Sequence, residues 1–163
     1  MRSISLALLV SGSLFAASAA QAQPLTEHNI SMGMAIAMIQ GTIEQCTRDG
    51  YKVSVVVIDK AGNVMASLRG DGTNPHTMEF AKMKAYTART RGQSSLDFME
   101  ATASGAGAML RQIPGVVAIG GGVPVKLGSG ETIGAVGASG APGGEKDDAC
   151  VKAGIAKVAD QLK

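Results

Sequence analysis

Aromatic side chains are scarce in this chain: they make up 3% of 163 residues, with no tryptophan, two tyrosines and three phenylalanines. An excess of one charge is lacking too, since 15 lysines and arginines face 13 acids and the two signs are interspersed. A nucleic-acid surface needs clustered cations and, for single strands, stacking rings, so that class is excluded. Cysteine is down to two, Cys46 and Cys150, which are not spaced as a metal site. The His-Glu-x-x-His, Gly-x-Ser-x-Gly and Walker A patterns are all missing, which removes any motif for a zinc protease, a serine elbow or a phosphate loop. After the N-terminus, no apolar stretch is long enough to span a bilayer.

What is present begins with a secretory signal. Arg2 supplies a charged start, Ile4 to Ala17 is apolar with small interruptions, and Ala20-Gln21-Ala22 fits the small-x-small cleavage rule. The apolar stretch is short and no stop-transfer charges follow it, which argues against an anchor. Residues 1–22 are therefore read as a signal peptide and 23–163 as a single domain, large enough to bury a core. Loss of Arg2 leaves 14 cations against 13 acids, a net charge of +1. The expected location is periplasmic or secreted, with no membrane span after signal removal. In an oxidising compartment Cys46 and Cys150 are expected to pair, the alternative being two buried free thiols.

The mature chain is organised around residues 53–91. Val53, Val55, Val56, Val57 and Ile58 form a β-branched run bounded by turn residues, which predicts a strand. Lys60-Ala61-Gly62-Asn63 predicts a hairpin turn and Val64 to Leu68 its partner strand. Gly70 to Pro75 cannot continue a sheet, so a helix is expected from near His76, with Thr77 and Glu79 suited to its N-terminus. Ala81, Ala85 and Ala88 give that helix a small-residue face for close packing. His76, Phe80 and Met83 fall on another stripe, where an imidazole, a ring and a thioether could floor a flat apolar cofactor with the histidine near iron. Arg89 and Arg91 end the helix, complementing its dipole or meeting an anionic ligand.

The remaining elements follow by the same reasoning. A first helix is expected from about Thr26 to Arg48, capped by Thr26 and stopped near Gly50. Met32, Met34 and Met38 near His28 invite a copper reading, but their spacing does not place the three sulfurs on one stripe, and core filling is favoured. Ser94 or Ser95 should cap a short helix to about Ala103. Strands are expected at Val116–Ile119, Val123–Leu127 and Thr132–Ser139, followed by an amphipathic helix containing Cys150. Glu145, Asp147 and Asp148 suit that helix's N-terminal dipole, with a divalent metal as the weaker reading.

Taken in order, Val57-Ile58-Asp59 with Gly62, Arg69-Gly70-Asp71-Gly72, Lys84-Ala85-Tyr86-Thr87-Ala88, Ile113-Pro114-Gly115, Gly121 to Val125, and Ile133 to Gly137 with Ser139-Gly140 resemble the GlcG-like haem-binding family. The resemblance runs from about residue 30 to the C-terminus. It implies an α/β domain: an antiparallel sheet of about five strands, with the N- and C-terminal helices on one face and further helices in the middle. Adjacent terminal helices would account for a Cys46–Cys150 disulfide. Homo-oligomers and haem or iron handling or sensing are also implied, and haem degradation enters only through the resemblance.

The family's haem-contact region corresponds here to residues 76–95. By resemblance Tyr86, within Lys84–Ala88, and a hydroxyl at Ser94 or Ser95 join the candidate set, with Arg89 and the chemically chosen His76, Phe80 and Met83. His76 is the candidate iron ligand. The expected function is a secreted or periplasmic haem-binding protein. Alternatives are an enzyme or accessory factor acting on a small oxidised organic metabolite, or a homo-oligomer without ligand. No catalytic residue is identified.

Overall fold

The computed structural model describes residues 22–163, so all but the last residue of the expected signal peptide lies outside the described residues. The order is α1 (Met32–Arg48), β1 (Ser54–Asp59), β2 (Val64–Arg69), α2 (Thr77–Arg91), α3 (Ser95–Ala101), β3 (Gly122–Lys126), β4 (Thr132–Ser139) and α4 (Gly144–Ala156). Short 3-10 segments cover Gly105–Gln112 and Ala159–Leu162. The four strands form one antiparallel sheet in the order β2-β1-β4-β3. Helices α1 and α4 cover one face and α2 the other, so the α/β architecture and the placement of the terminal helices agree with expectation.

The strand count is four rather than five. Val116–Ile119 does not pair with the sheet, because its backbone polar groups find a side chain instead. The Val117 N–H donates to the Thr87 hydroxyl on α2 at 2.8 Å, and that hydroxyl lies 3.2 Å from the Val117 carbonyl oxygen. With these groups satisfied, a ladder has nothing to add for this residue. The first helix also starts later than Thr26. Ser31 is the cap, accepting from Met34 N–H at 3.3 Å, and Ile30 ahead of it is buried against the sheet. Glu27, His28 and Asn29 are spent on a strap across the β1–β2 turn and Glu131, described below.

The strand β1 is buried on both sides, which explains its unbroken β-branched run. Val55 and Val57 point to the α1/α4 core, whereas Val56 and Ile58 point to α2. Burying such a side chain contributes about 1.5–3 kcal/mol, so the two central strands hold both layers. α2 presents Ala81, Ala85 and Ala88, all fully buried, to the sheet. The seat is tight: a methyl at Gly137 on β4 would overlap the Ala81 carbonyl, and one at Gly122 on β3 the Lys84 carbonyl.

Lys84 shares the inner side of α2 with those alanines. Its ammonium meets Asp147 of α4 at 2.7 Å and donates to the Ala138 carbonyl at 3.1 Å. Asp147 in turn accepts from the Ala141 N–H at 3.0 Å. Both side chains are 3% exposed, so they form a buried ion pair that joins helices from opposite layers past the end of β4. Burial pushes the Asp147 carboxyl above its ordinary pKa, while the Lys84 ammonium and backbone N–H groups oppose that shift.

On the other layer, α1 and α4 pack against each other where Gly154 admits Thr42 and the Met38 carbonyl. There Cys46 and Cys150, 104 positions apart in sequence, form a disulfide with Cα atoms 5.4 Å apart. No helix among the described residues is long and apolar enough to cross a membrane.

Replacing both cysteines by alanine is expected to lower unfolding free energy by about 2–4 kcal/mol, read as a lower urea midpoint. Lys84→Met leaves a buried carboxylate without its counter-charge and should cost about 3–5 kcal/mol at neutral pH. A carboxyl with a raised folded-state pKa binds a proton that the unfolded chain releases. The Lys84→Met deficit should therefore be smallest below the unfolded-state pKa and grow until pH passes the folded-state one. Urea midpoints across acid to neutral pH measure it, and Lys84→Met with Asp147→Leu should recover much of the loss.

Candidate functional site

The loop from Gly70 to His76 fixes where α2 begins. The Thr77 hydroxyl donates to the Asn74 carbonyl at 2.9 Å and sits 2.8 Å from the Ser54 hydroxyl on β1. The Arg69 guanidinium donates to the same Asn74 carbonyl at 2.9 Å. These bonds pin the helix start to the edge of the sheet, so His76 is carried at a defined place even though it is exposed. Its ring makes no capping bond and instead meets Phe80 edge-on, with centroids 5.5 Å apart and an interplanar angle of 84°.

Along the solvent side of α2, the residues at helical spacing are His76, Glu79, Phe80, Met83 and Tyr86. The segment from His76 to Tyr86 spans about 15 Å at the rise of an α-helix. Tyr86 is held rather than loose. Its ring lies between Gly62 of the β1–β2 turn and Gly115, where added methyls would come within 3.2 and 3.3 Å of ring carbons. Both glycines have positive φ, 90° and 80°, so any other residue there would be strained as well as crowded. Gly62, Glu79, Lys82, Met83, Tyr86 and Gly115 enclose a shallow hollow of about 230 Å³. Lys82 and Glu79 face each other at 3.7 Å on its rim.

At the far end of α2 the Arg89 Nε donates to the Lys60 carbonyl at 2.7 Å, tying the helix to the same turn that holds Tyr86. Arg91 lies over the Phe98 ring, 5.9 Å from its centroid. The Lys60 ammonium bonds Glu131 at 2.8 Å, and His28 reaches the other Glu131 oxygen at 2.9 Å. Lys60 is raised above its ordinary pKa mainly by that hydrogen bond, and Glu131 is lowered by its bonds to Lys60 and then His28. Asn29 accepts the Lys60 N–H at 3.1 Å and completes the strap.

The structure therefore brings His76, Phe80, Met83 and Tyr86 to one face, with Arg89 at its end. Ser94 and Ser95 are committed elsewhere. Ser94 caps α3 by accepting the Asp97 N–H at 3.0 Å, and buried Ser95 accepts the Gly122 N–H at 2.8 Å. The methionines of α1 diverge: Met38 is fully buried and Met32 is exposed. Asp147 is spent on Lys84 and Asp148 on Lys152, at 2.7 Å each, while Glu145 is exposed. No group of three histidine, cysteine or acidic side chains suited to a metal occurs among the described residues.

Three supports of the site were not recognised from sequence. Lys84 belongs to the spacing 81, 84, 85, 88 of the buried face, and that spacing was the available signal for its burial. Thr87 and the glycine pair around Tyr86 are visible in the sequence as motif residues, but their contacts are not, because their partners lie about 25 to 30 residues away.

Comparison with known proteins places these features. The family model described as haem degrading protein HbpS-like matches residues 30–156, from just before α1 to the end of α4. Protein GlcG of Escherichia coli strain K12 is 32% identical over 110 residues, covering 68% of this chain and 81% of GlcG. The crystal structure of HbpS matches with a TM-score of 0.78 at 31% identity, covering 82% of this chain and 93% of HbpS. A crystal structure of PduOC in complex with haem shares the fold, with a TM-score of 0.71 at 22% identity over 80% of this chain and 95% of that one. The family match extends over all eight helices and strands, and the chain belongs to the HbpS-like haem-degrading protein family.

Proposed function

We propose that the protein binds haem across the outer face of α2, within residues 76–95, and acts in haem or iron handling outside the cytoplasm. The observation that carries this reading is the gathering of His76, Phe80, Met83 and Tyr86 on one exposed helix face in a chain of this family. Phe80, Met83 and Tyr86 supply the apolar and aromatic contact that a flat macrocycle needs. His76 supplies a nitrogen for iron, with Met83 and Tyr86 carrying the other donor atoms. Lys82 and the guanidinium nitrogens of Arg89 not bound to Lys60 are placed for propionates. When bound, haem supplies a redox-active iron.

The hollow at Tyr86, about 230 Å³, falls below the range of about 300–1,000 Å³ typical of enclosing sites. One chain thus offers a floor rather than a full pocket, and a second copy covering it in a homo-oligomer would exclude water from the other side. The periplasmic or secreted location rests on Arg2, the apolar stretch and Ala20-Gln21-Ala22, and a Cys46–Cys150 disulfide suits that compartment.

Titrating residues 23–163 with haemin should give saturable binding at one haem per chain or per pair of chains, with a shifted Soret band. His76→Ala should weaken binding or change the spectrum while leaving the helical signal intact; an unchanged band and affinity would remove His76 from the site. Uptake that rises linearly without saturation would mean partitioning onto apolar surface, and the haem reading would fall. For the location, mass spectrometry of protein from the periplasmic or medium fraction should give Gln23 as the first residue.

A further inference from the structure

A further hollow lies on the α1 side of the sheet, away from the outer face of α2. It holds about 620 Å³ where the end of α1 meets the end of β2, with Ile43, Tyr51, Val53 and Leu68 as apolar wall. A second hollow of about 420 Å³ adjoins it and shares Gly50, Tyr51 and Lys52. Both have the size of small-molecule sites. Leu68 is 48% exposed at this place although it pairs with Val55, which is fully buried in the core. The sheet edge thus leaves apolar surface open inside a concave wall.

Charge narrows what such a cleft can take. Six of the nine lysines sit in ion pairs: Lys60, Lys82, Lys84, Lys152, Lys157 and Lys163. Of the other three, Lys52 lines both hollows, and Lys146 sets its ammonium over the Tyr51 ring, 5.4 Å from the centroid. Arg69 pairs with Ser54 and turns its guanidinium to the Asn74 carbonyl on the α2 side of the sheet, so the cleft's own cation is Lys52. Lys52 has no ion-pair partner among the described residues, and Asp71 is the acid that shares the lining. Cations without counter-charges beside an exposed apolar wall match a molecule that carries one negative end on an apolar body.

We propose that this cleft is a second binding site, for an organic monocarboxylate with a flat or branched apolar body. The body lies against Ile43, Tyr51 and Leu68, and the carboxylate is held by Lys52, with Lys146 keeping the Tyr51 corner electropositive. The site is separate from the face of α2, so it stands or falls independently of haem binding there.

Calorimetric titration of the mature protein with naphthoate, and with uncharged naphthamide of nearly the same shape, tests it. Naphthoate should bind saturably, and the amide at least about tenfold more weakly, because a charged hydrogen-bonded end is lost. Lys52→Gln, at an exposed position, should weaken naphthoate by about tenfold, whereas Lys126→Gln, the remaining unpaired lysine, should leave it unchanged. Equal binding of acid and amide, equal losses in the two variants, or no saturable binding would overturn the site. Displacement of naphthoate by one equivalent of haemin would also overturn it, since the cleft would then belong to haem.

Discussion

The closeness with which α2 seats on the sheet is the constraint on which the other features depend. A helix can approach strands this tightly only if both surfaces lack side-chain bulk, and here alanines meet Gly137 and Gly122. The little apolar area that alanine buries is supplemented by an ionic tie through the sheet's end, Lys84 to Asp147. Taking two charges out of water is costly, so the pair is a weak source of net stability, but it joins the turn of α2 that lies over the end of β4 to the first turn of α4. Once the inner face is fixed, the outer face has no freedom left, and His76, Phe80, Met83 and Tyr86 are presented together.

Connections from distant parts of the chain then hold that outer face in place. The Tyr86 ring is gripped by glycines from two turns, Arg89 anchors to the Lys60 carbonyl, and Thr87 engages the backbone of Val117. The two layers thereby differ in surface: α2 presents His76, Phe80, Met83 and Tyr86 beside a shallow hollow, and the α1 side carries a larger cleft lined by Lys52. A disulfide between α1 and α4 stiffens the layer that carries the cleft.

Much of this was legible beforehand because it is local. The alanine stripe against the histidine stripe, the β-branched run of β1 and a cap of α3 at Ser94 or Ser95 all follow from periods and turn chemistry within about ten residues. Val116–Ile119 was misread as a strand because its composition is that of one; a threonine on another element takes its hydrogen bonds. Thr26 was misread as a cap because Ser31 does the same job nearer the buried residues. For Lys84 the buried spacing 81, 84, 85, 88 is a local signal, but its partner is a carboxylate 63 positions away.

By itself, then, the sequence determined the kinds of element, their order and the inward and outward faces of α2, since these depend on neighbours in the chain. Ordered motifs also determined the family. Only the tertiary structure decided that there are four strands, that Cys46 and Cys150 meet, that Tyr86 is clamped, and that Lys52 stands beside an open apolar wall. The physical reason is that each of these is settled by a partner far along the chain: a polar group or a cysteine by which group reaches it, and an apolar or charged surface by which neighbour fails to cover it.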